Sequence, residues 1–147
     1  MTDLQWKFFE AFKIEFRAKV QEWMSMTDVL IPLQKKAAED CGVPFYPIET
    51  SVVYNTDLEK IKKEDDIRLI VIGDNPGKSE QLKEKQAYLV GQAGKIAEGY
   101  FRRNPEFDVD FRKNVIILNK TPVHSAKTAN LKQIIKEGGE KVAALIE

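Results

Sequence analysis

Ile67-Arg68-Leu69-Ile70-Val71-Ile72-Gly73-Asp74-Asn75-Pro76-Gly77-Lys78-Ser79 is an apolar run that stops abruptly in a turn. Its first part, mostly β-branched, reads as a strand buried on both faces, which favours a parallel sheet covered by helices. The turn lies at the carboxyl end of that strand, the edge where open α/β sheets place ligands. Gly73 and Gly77 allow a tight turn and close approach of a ligand to the backbone. Pro76 stiffens the turn and biases Asn75 towards an extended conformation. Asp74 and Asn75 then stand as polar groups at the mouth of the sheet.

A second strand follows at Val115-Ile116-Ile117-Leu118, ending in Asn119. Between the two, residues 91 to 103 read as a helix with Ile96, Tyr100, Ala93 and Ala97 inward, ended by Asn104-Pro105. Strands alternating with helices imply βαβ crossovers and a parallel sheet, so Gly73 and Asn119 open on the same edge. Upstream, Trp6, Phe9, Phe12, Phe16, Val20 and Trp23 recur at helical spacing over residues 4 to 26. Lys7, Glu10, Lys13, Arg17 and Gln21 take the opposite face. Thr27-Asp28 is a candidate cap for a second helix over Val29 to Asp40, with Pro32 in its first turn or at a break. Residues 41 to 50 form a loop, 51 to 54 a short strand and 57 to 64 a charged turn. Residues 79 to 86 read as polar loop. Thr128 or Asn130 caps a helix bearing Leu131, Ile134 and Ile135. Gly138-Gly139 interrupts it before a further helix over 140 to 147.

The expected fold class is α/β in three layers, a parallel central sheet flanked by helices. It forms one domain over 1–147, helical over 1–50 and sheet-forming over 51–147. The 147 residues are enough for one core. Lys+Arg and Asp+Glu both number 23, so whole-chain charge does not select a polyanionic partner, although a basic patch on a neutral protein would serve one. A single cysteine, Cys41, excludes an internal disulfide and a multi-cysteine metal or iron–sulfur site within one chain. No apolar run reaches the roughly 18 residues of a membrane span, and Asp3, Glu10 and Glu15 break any secretory signal. A soluble cytoplasmic protein without metal or cofactor is expected.

Gly73-x-x-x-Gly77-Lys78-Ser79 invites comparison with a phosphate-binding P-loop. One residue is missing between the glycines, which narrows the ring of amides, and no apolar run ends in an Asp for magnesium.

Gly73-Asp74-Asn75-Pro76-Gly77 resembles the first motif of the uracil-DNA glycosylase superfamily, whose branches carry G-Q-D-P-Y, G-I-N-P-G or G-E-A-P-G. Tyr88-Leu89-Val90-Gly91-Gln92-Ala93-Gly94 resembles the P-F-V-G-R-A-G segment of the last branch. Ile117-Leu118-Asn119 resembles the strand that ends in a base-reading Asn. Asn119-Lys120-Thr121-Pro122 with Lys127-Thr128 resembles the loop that follows. The matches keep their order over about residues 67 to 135. The resemblance implies hydrolysis of the N-glycosidic bond of uracil or a related base flipped out of DNA. Asp74 and Asn75 would place or deprotonate the water. Gly73, Pro76, Gly77, Tyr88, Leu89 and Asn119 would form the base pocket, and Lys78, Lys120 and Lys127 would contact DNA. A side-chain amide at Asn119 can donate to O4 and accept from N3–H of uracil, a pattern that rejects cytosine.

Two departures qualify the resemblance. Leu89 stands where the branch has a base-stacking aromatic, with Tyr88 one position earlier as the candidate substitute. The superfamily's H-P-S-like loop, expected after a further strand, has no counterpart before Glu147. The single His, His124, lies in the loop after the second strand and is expected at the surface. A C-terminally incomplete glycosylase-like domain of weak or no activity is the expectation, with no iron–sulfur cluster. Two alternatives remain open at this level: a non-catalytic nucleic-acid or nucleotide-binding module, and a P-loop-like nucleotide hydrolase.

Overall fold

Helix α1 (Asp3–Met24) starts at Thr2, whose Oγ1 accepts from the Gln5 backbone N–H at 3.2 Å while Gln5 Oε1 accepts from Thr2 N–H at 2.8 Å. This reciprocal cap satisfies two amides that the first turn otherwise leaves free. The computed structural model describes residues 1 to 146. Helix α2 (Thr27–Asp40) follows after a two-residue break and carries Pro32 inside it. The Thr27 hydroxyl donates back to Met24 O at 2.7 Å, so it closes α1 instead of capping α2 as expected.

Strands β1 (Leu69–Gly73) and β2 (Val115–Asn119) pair in parallel, Leu69 opposite Val115 through to Gly73 opposite Asn119. Helix α3 (Gln92–Arg103) lies in the crossover between them. Helix α4 (Asn130–Ile146) bends at Gly139, whose φ of 71° only glycine adopts cheaply, as the Gly-Gly pair suggested. The protein is thus an α/β protein built on a small parallel sheet.

Three apolar clusters hold these parts. Val20, Leu30, Ala37, Val52, Val123, Ile134, Val142 and Leu145 join α1, α2 and α4. One face of β2 packs Val115 and Ile117 against Val53, Tyr88 and Phe111. Its other face packs Ile116 against Phe9 of α1 and Leu58. Burial of this kind contributes roughly 25 cal/mol per Å2 and fixes the strand's register, because a slip of one residue would exchange its two faces.

Several expectations fail at the level of burial. β1 is not covered on both faces: Ile70 and Ile72 are each 62% exposed, and β1 forms the edge of the sheet. An apolar run records a preference for burial but not whether a neighbour supplies it. On α3 the inward residues are Gly94, Ala97 and Phe101, while Ile96 and Tyr100 face out, a shift of one position around the helix. Phe12, assigned to the covered face of α1, is 37% exposed. Lys13, assigned to the solvated face, is buried. Its Nζ lies over the rings of Trp6 and Phe9 at 5.4 and 5.2 Å and pairs with Glu10 at 2.6 Å, a stem-and-cation fit that residue type alone does not announce. Residues 51 to 54 form no strand beyond an antiparallel bridge between Val52 and Val123. Among the described residues no helix is long and apolar enough to cross a membrane.

Candidate functional site

The turn at 73 to 77 is joined along its length to the loop leaving β2. Lys120 N–H donates to Gly73 O at 3.0 Å and Thr121 N–H to Asp74 O at 3.3 Å, extending the ladder past the strands. Pro76 O then accepts from Ser125 N–H at 3.2 Å. The Asn75 side-chain amide donates to Ser125 Oγ at 2.8 Å and to Val123 O at 3.3 Å. The turn and the loop leaving β2 are therefore hydrogen-bonded together along their length.

His124 adds a further tie and overturns its expected surface position: it has no exposure. Nδ1 lies 2.9 Å from Pro76 O and Nε2 lies 2.8 Å from the Tyr46 hydroxyl. A carbonyl oxygen can only accept, so Nδ1 carries the proton and Nε2 accepts from Tyr46. Burial pushes the imidazole pKa down to about 4 and the Tyr46 hydroxyl up to about 12, so both are neutral at pH 7. With both nitrogens engaged, His124 holds the turn from behind and does not face a ligand.

Residues 77 to 81 close the other side. Glu80 is buried, and its carboxylate accepts from Gly77 N–H. Gln81 ties this segment to residues 47 to 50: its amide donates to Pro47 O at 3.1 Å, and its Oε1 accepts from Glu49 N–H at 2.6 Å. Glu80 escaped the sequence reading, although the Gly77-x-x-Glu80 interval is the spacing at which a carboxylate reaches back to an amide at the start of a helical turn. Ser125 carries no such signal.

Together these segments surround a cavity of about 490 Å3. Gly73, Asp74, Asn75, Gly77, Lys78 and Glu80 line one part. Leu89, Gly91 and Gln92 line another, and Ser125 and Lys127 complete it. Asp74 is half exposed, and its carboxylate accepts from Lys120 Nζ at 2.7 Å. Asn75 spends its amide hydrogens on the loop, while its Oδ1 accepts none among the described residues. Lys78 lays its ammonium over the Tyr46 ring at 4.9 Å, and Lys127 donates to Cys41 O at 3.3 Å. The segment after Ser79 is a turn, and the next helix begins at Gln92, so no helix N-terminus follows Lys78-Ser79 as a P-loop requires.

Leu89 and Tyr88 resolve differently. Tyr88 is wholly buried, its hydroxyl donating to Val53 O at 2.7 Å, so its ring belongs to the core and not to a base pocket. Leu89 takes the left-handed conformation, φ 52°, which costs a branched side chain on the order of 1 kcal/mol or more. Two contacts enforce it. The Leu89 carbonyl accepts from Arg112 Nη2 at 2.9 Å and packs so tightly on Gly94 that a Cβ there would fall 1.5 Å from the carbonyl oxygen. The strain turns Leu89 towards Gly73. A Cβ on Gly73 would meet Asn119 Oδ1 at 2.5 Å and Leu89 Cδ2 at 3.7 Å, so these side chains share one face of the sheet edge. Asn119 Oδ1 is buried there without a hydrogen-bond partner. A carbonyl oxygen left so costs on the order of 1–3 kcal/mol and is an acceptor awaiting a donor.

Comparison with protein-family profiles, curated proteins and solved structures finds no match to this chain.

Proposed function

We propose that this protein is a uracil-DNA glycosylase-like α/β protein of the three-layer type, acting in base excision on uracil or a related base in DNA inside the cell. The observation that carries the reading is a cavity lined by Gly73, Asp74, Asn75 and Leu89, with the unpartnered Asn119 Oδ1 buried against Gly73 and Leu89 and not itself in the lining. An acceptor buried next to an apolar side chain suits the N3–H of a flat, uncharged base, with Leu89 as the apolar contact in place of an aromatic one.

In the proposed reaction a water oxygen forms a bond to C1′ of the sugar while the C1′–N bond breaks. The bonding pair leaves with the base, and Asp74 takes the water proton. Asn75 Oδ1, free of other donors, would orient that water. Lys120 beside Asp74 and Lys78 and Lys127 at the rim supply positive charge for phosphates. No imidazole faces the cavity to stabilise the departing base, because His124 is engaged at both nitrogens. Slow chemistry is therefore expected.

Single-turnover excision on uracil-containing DNA tests this reading. Asp74→Ala or Asn119→Ala should lower the rate by on the order of 100-fold or more. Excision unchanged in both, and in Asn75→Ala, would remove this site from the reaction.

One observation favours a second reading, a non-catalytic nucleic-acid-binding module. One Asp74 oxygen is already occupied by the Lys120 ammonium at 2.7 Å, so part of the carboxylate is engaged before any water arrives. Salt-dependent DNA binding with no excision by the wild-type chain would select it.

A further inference from the structure

β1 lies at the edge of the sheet with none of the usual protection of an edge. Leu69 N–H donates to Asn114 O, and Gly73 O accepts from Lys120 N–H, both towards β2. Strand alternation therefore turns the main-chain groups of Leu69, Val71 and Gly73 to β2 and those of Ile70 and Ile72 outward. The N–H and C=O of Ile70 and Ile72 have no partner among the described residues. No Lys, Pro or bulge interrupts Leu69 to Gly73, whose register with β2 is continuous. Beside this edge runs an apolar groove of about 510 Å3, lined by Phe8, Phe12, Ile70, Ile116 and Leu118 among others. Leu4, Phe8 and Phe12 form an exposed stripe along α1 at its margin.

We propose that this edge binds a second copy of the chain, the two β1 strands pairing antiparallel across a two-fold axis at Val71. The pairing follows from the positions of the free groups. A two-fold axis at Val71 sets Ile70 opposite Ile72 of the second copy and Ile72 opposite its Ile70. Each of these pairs exchanges two hydrogen bonds, which satisfies all four outward groups of each strand. Val71 then faces Val71 as the non-hydrogen-bonded pair between them, as antiparallel alternation requires. The axis is perpendicular to the sheet, so α1 stays on the same face in both copies. The two apolar grooves then meet over a sheet of four strands. The patch is self-complementary, which a two-fold interface demands. By their fractional exposures Leu4, Phe8, Phe12, Leu69, Ile70 and Ile72 leave roughly 700 Å2 of surface open per copy, the upper bound on what they can bury and of the order of the roughly 800 Å2 per partner of a stable interface.

Sedimentation velocity and light scattering on the full chain, from 1 to 200 μM, read the mass as order-of-magnitude concentrations are crossed. The wild type should sediment as a dimer in the upper part of this range. Ile72→Pro deletes one outward N–H, and Ile70→Lys puts a charge in the seam. Neither touches the β1–β2 ladder, so each should keep the circular dichroism of the wild type while its dimer dissociation constant rises at least about tenfold. Val71→Cys in a Cys41→Ser background should form an intermolecular disulfide on mild oxidation, because facing residues of a non-hydrogen-bonded pair lie about 4.5 Å apart at Cα. A wild type that stays monomeric overturns the proposal, as does a dimer that both edge variants leave intact. A monomer that instead captures an extended Val/Ile-rich peptide at this edge also overturns it, in favour of a foreign strand.

Discussion

His124 is the chain's only histidine, so its titration can be followed alone. In the folded protein burial holds its pKa at about 4, against an ordinary value of 6.5. Between these values the unfolded chain takes up a proton that the folded chain refuses. Stability is then complete above pH 6.5 and declines as the pH falls towards 4. One pKa unit corresponds to about 1.4 kcal/mol, so the full effect is about 3 kcal/mol, of which about 2 kcal/mol is lost between pH 7 and pH 5. That is a sizeable part of the roughly 5–15 kcal/mol that holds a domain folded. Urea unfolding at half-unit steps from pH 7 to pH 5 measures it, with His124→Gln as the control. Gln retains a neutral donor and acceptor but does not titrate, so its profile over the same range should be flatter by about 2 kcal/mol. The imidazole Cε1 proton, the single signal of its kind, should show no inflection above pH 5. An inflection near pH 6.5, or equal slopes in wild type and His124→Gln, would refute the buried neutral clamp.

Gly94→Ala should destabilise by about 3 kcal/mol or force the 86–91 loop to rearrange, because the new methyl meets backbone atoms of Leu89 and not the end of a flexible side chain. Urea midpoints and the amide spectrum of that loop will show it. Tyr88→Phe removes the buried donor to Val53 O and should cost about 1–2 kcal/mol in the same assay, while excision, if present, keeps its rate because the ring does not reach the cavity. Lys120→Ala breaks an exposed pair with Asp74 and should change stability by less than about 1 kcal/mol. In DNA binding it should reduce the slope of log K against log salt by about one unit.

What the sequence disclosed and what it hid divide along a physical line. The two strands, their parallel order, the turn between Gly73 and Gly77 and the break at Gly139 follow from local chemistry: β-branched runs, residues that punctuate, and glycine at a positive φ. The environment of a side chain is set by distant segments and was not legible. His124 is buried because Tyr46, Pro76 and the 51–54 segment converge on it. Ile70 and Ile72 are open because no segment among the described residues covers them. Lys13 is inside because two rings of its own helix accept its ammonium. Asp74 and Asn75, singled out by turn chemistry at a strand end, do line the cavity, whereas Asn119 is singled out by the resemblance alone. The choice between Tyr88 and Leu89 was legible in neither way, since it depends on a left-handed residue held by Arg112 and Gly94.

The polar groups around the turn fall into two sets with opposite environments. Those that hold it are buried: His124 is engaged at both nitrogens, Gln81 at both side-chain atoms, and one Glu80 oxygen accepts from Gly77 N–H. Those on its open side keep spare capacity. Asn75 Oδ1 accepts no hydrogen bond among the described residues and Asp74 has one exposed lysine; Asn119 Oδ1, buried at the end of β2, has no donor either. A turn built only to reverse the chain would satisfy its polar atoms internally or leave them in water. Here the holding groups stiffen the backbone, and the unsatisfied acceptors sit on the stiffened part, at the same end of two paired strands. Pre-organised acceptors whose position is fixed before a ligand arrives lose little freedom on binding. The buried clamp and the unsaturated rim are thus two halves of one arrangement. Loosening the clamp at His124 should weaken whatever the rim binds even though His124 never touches it.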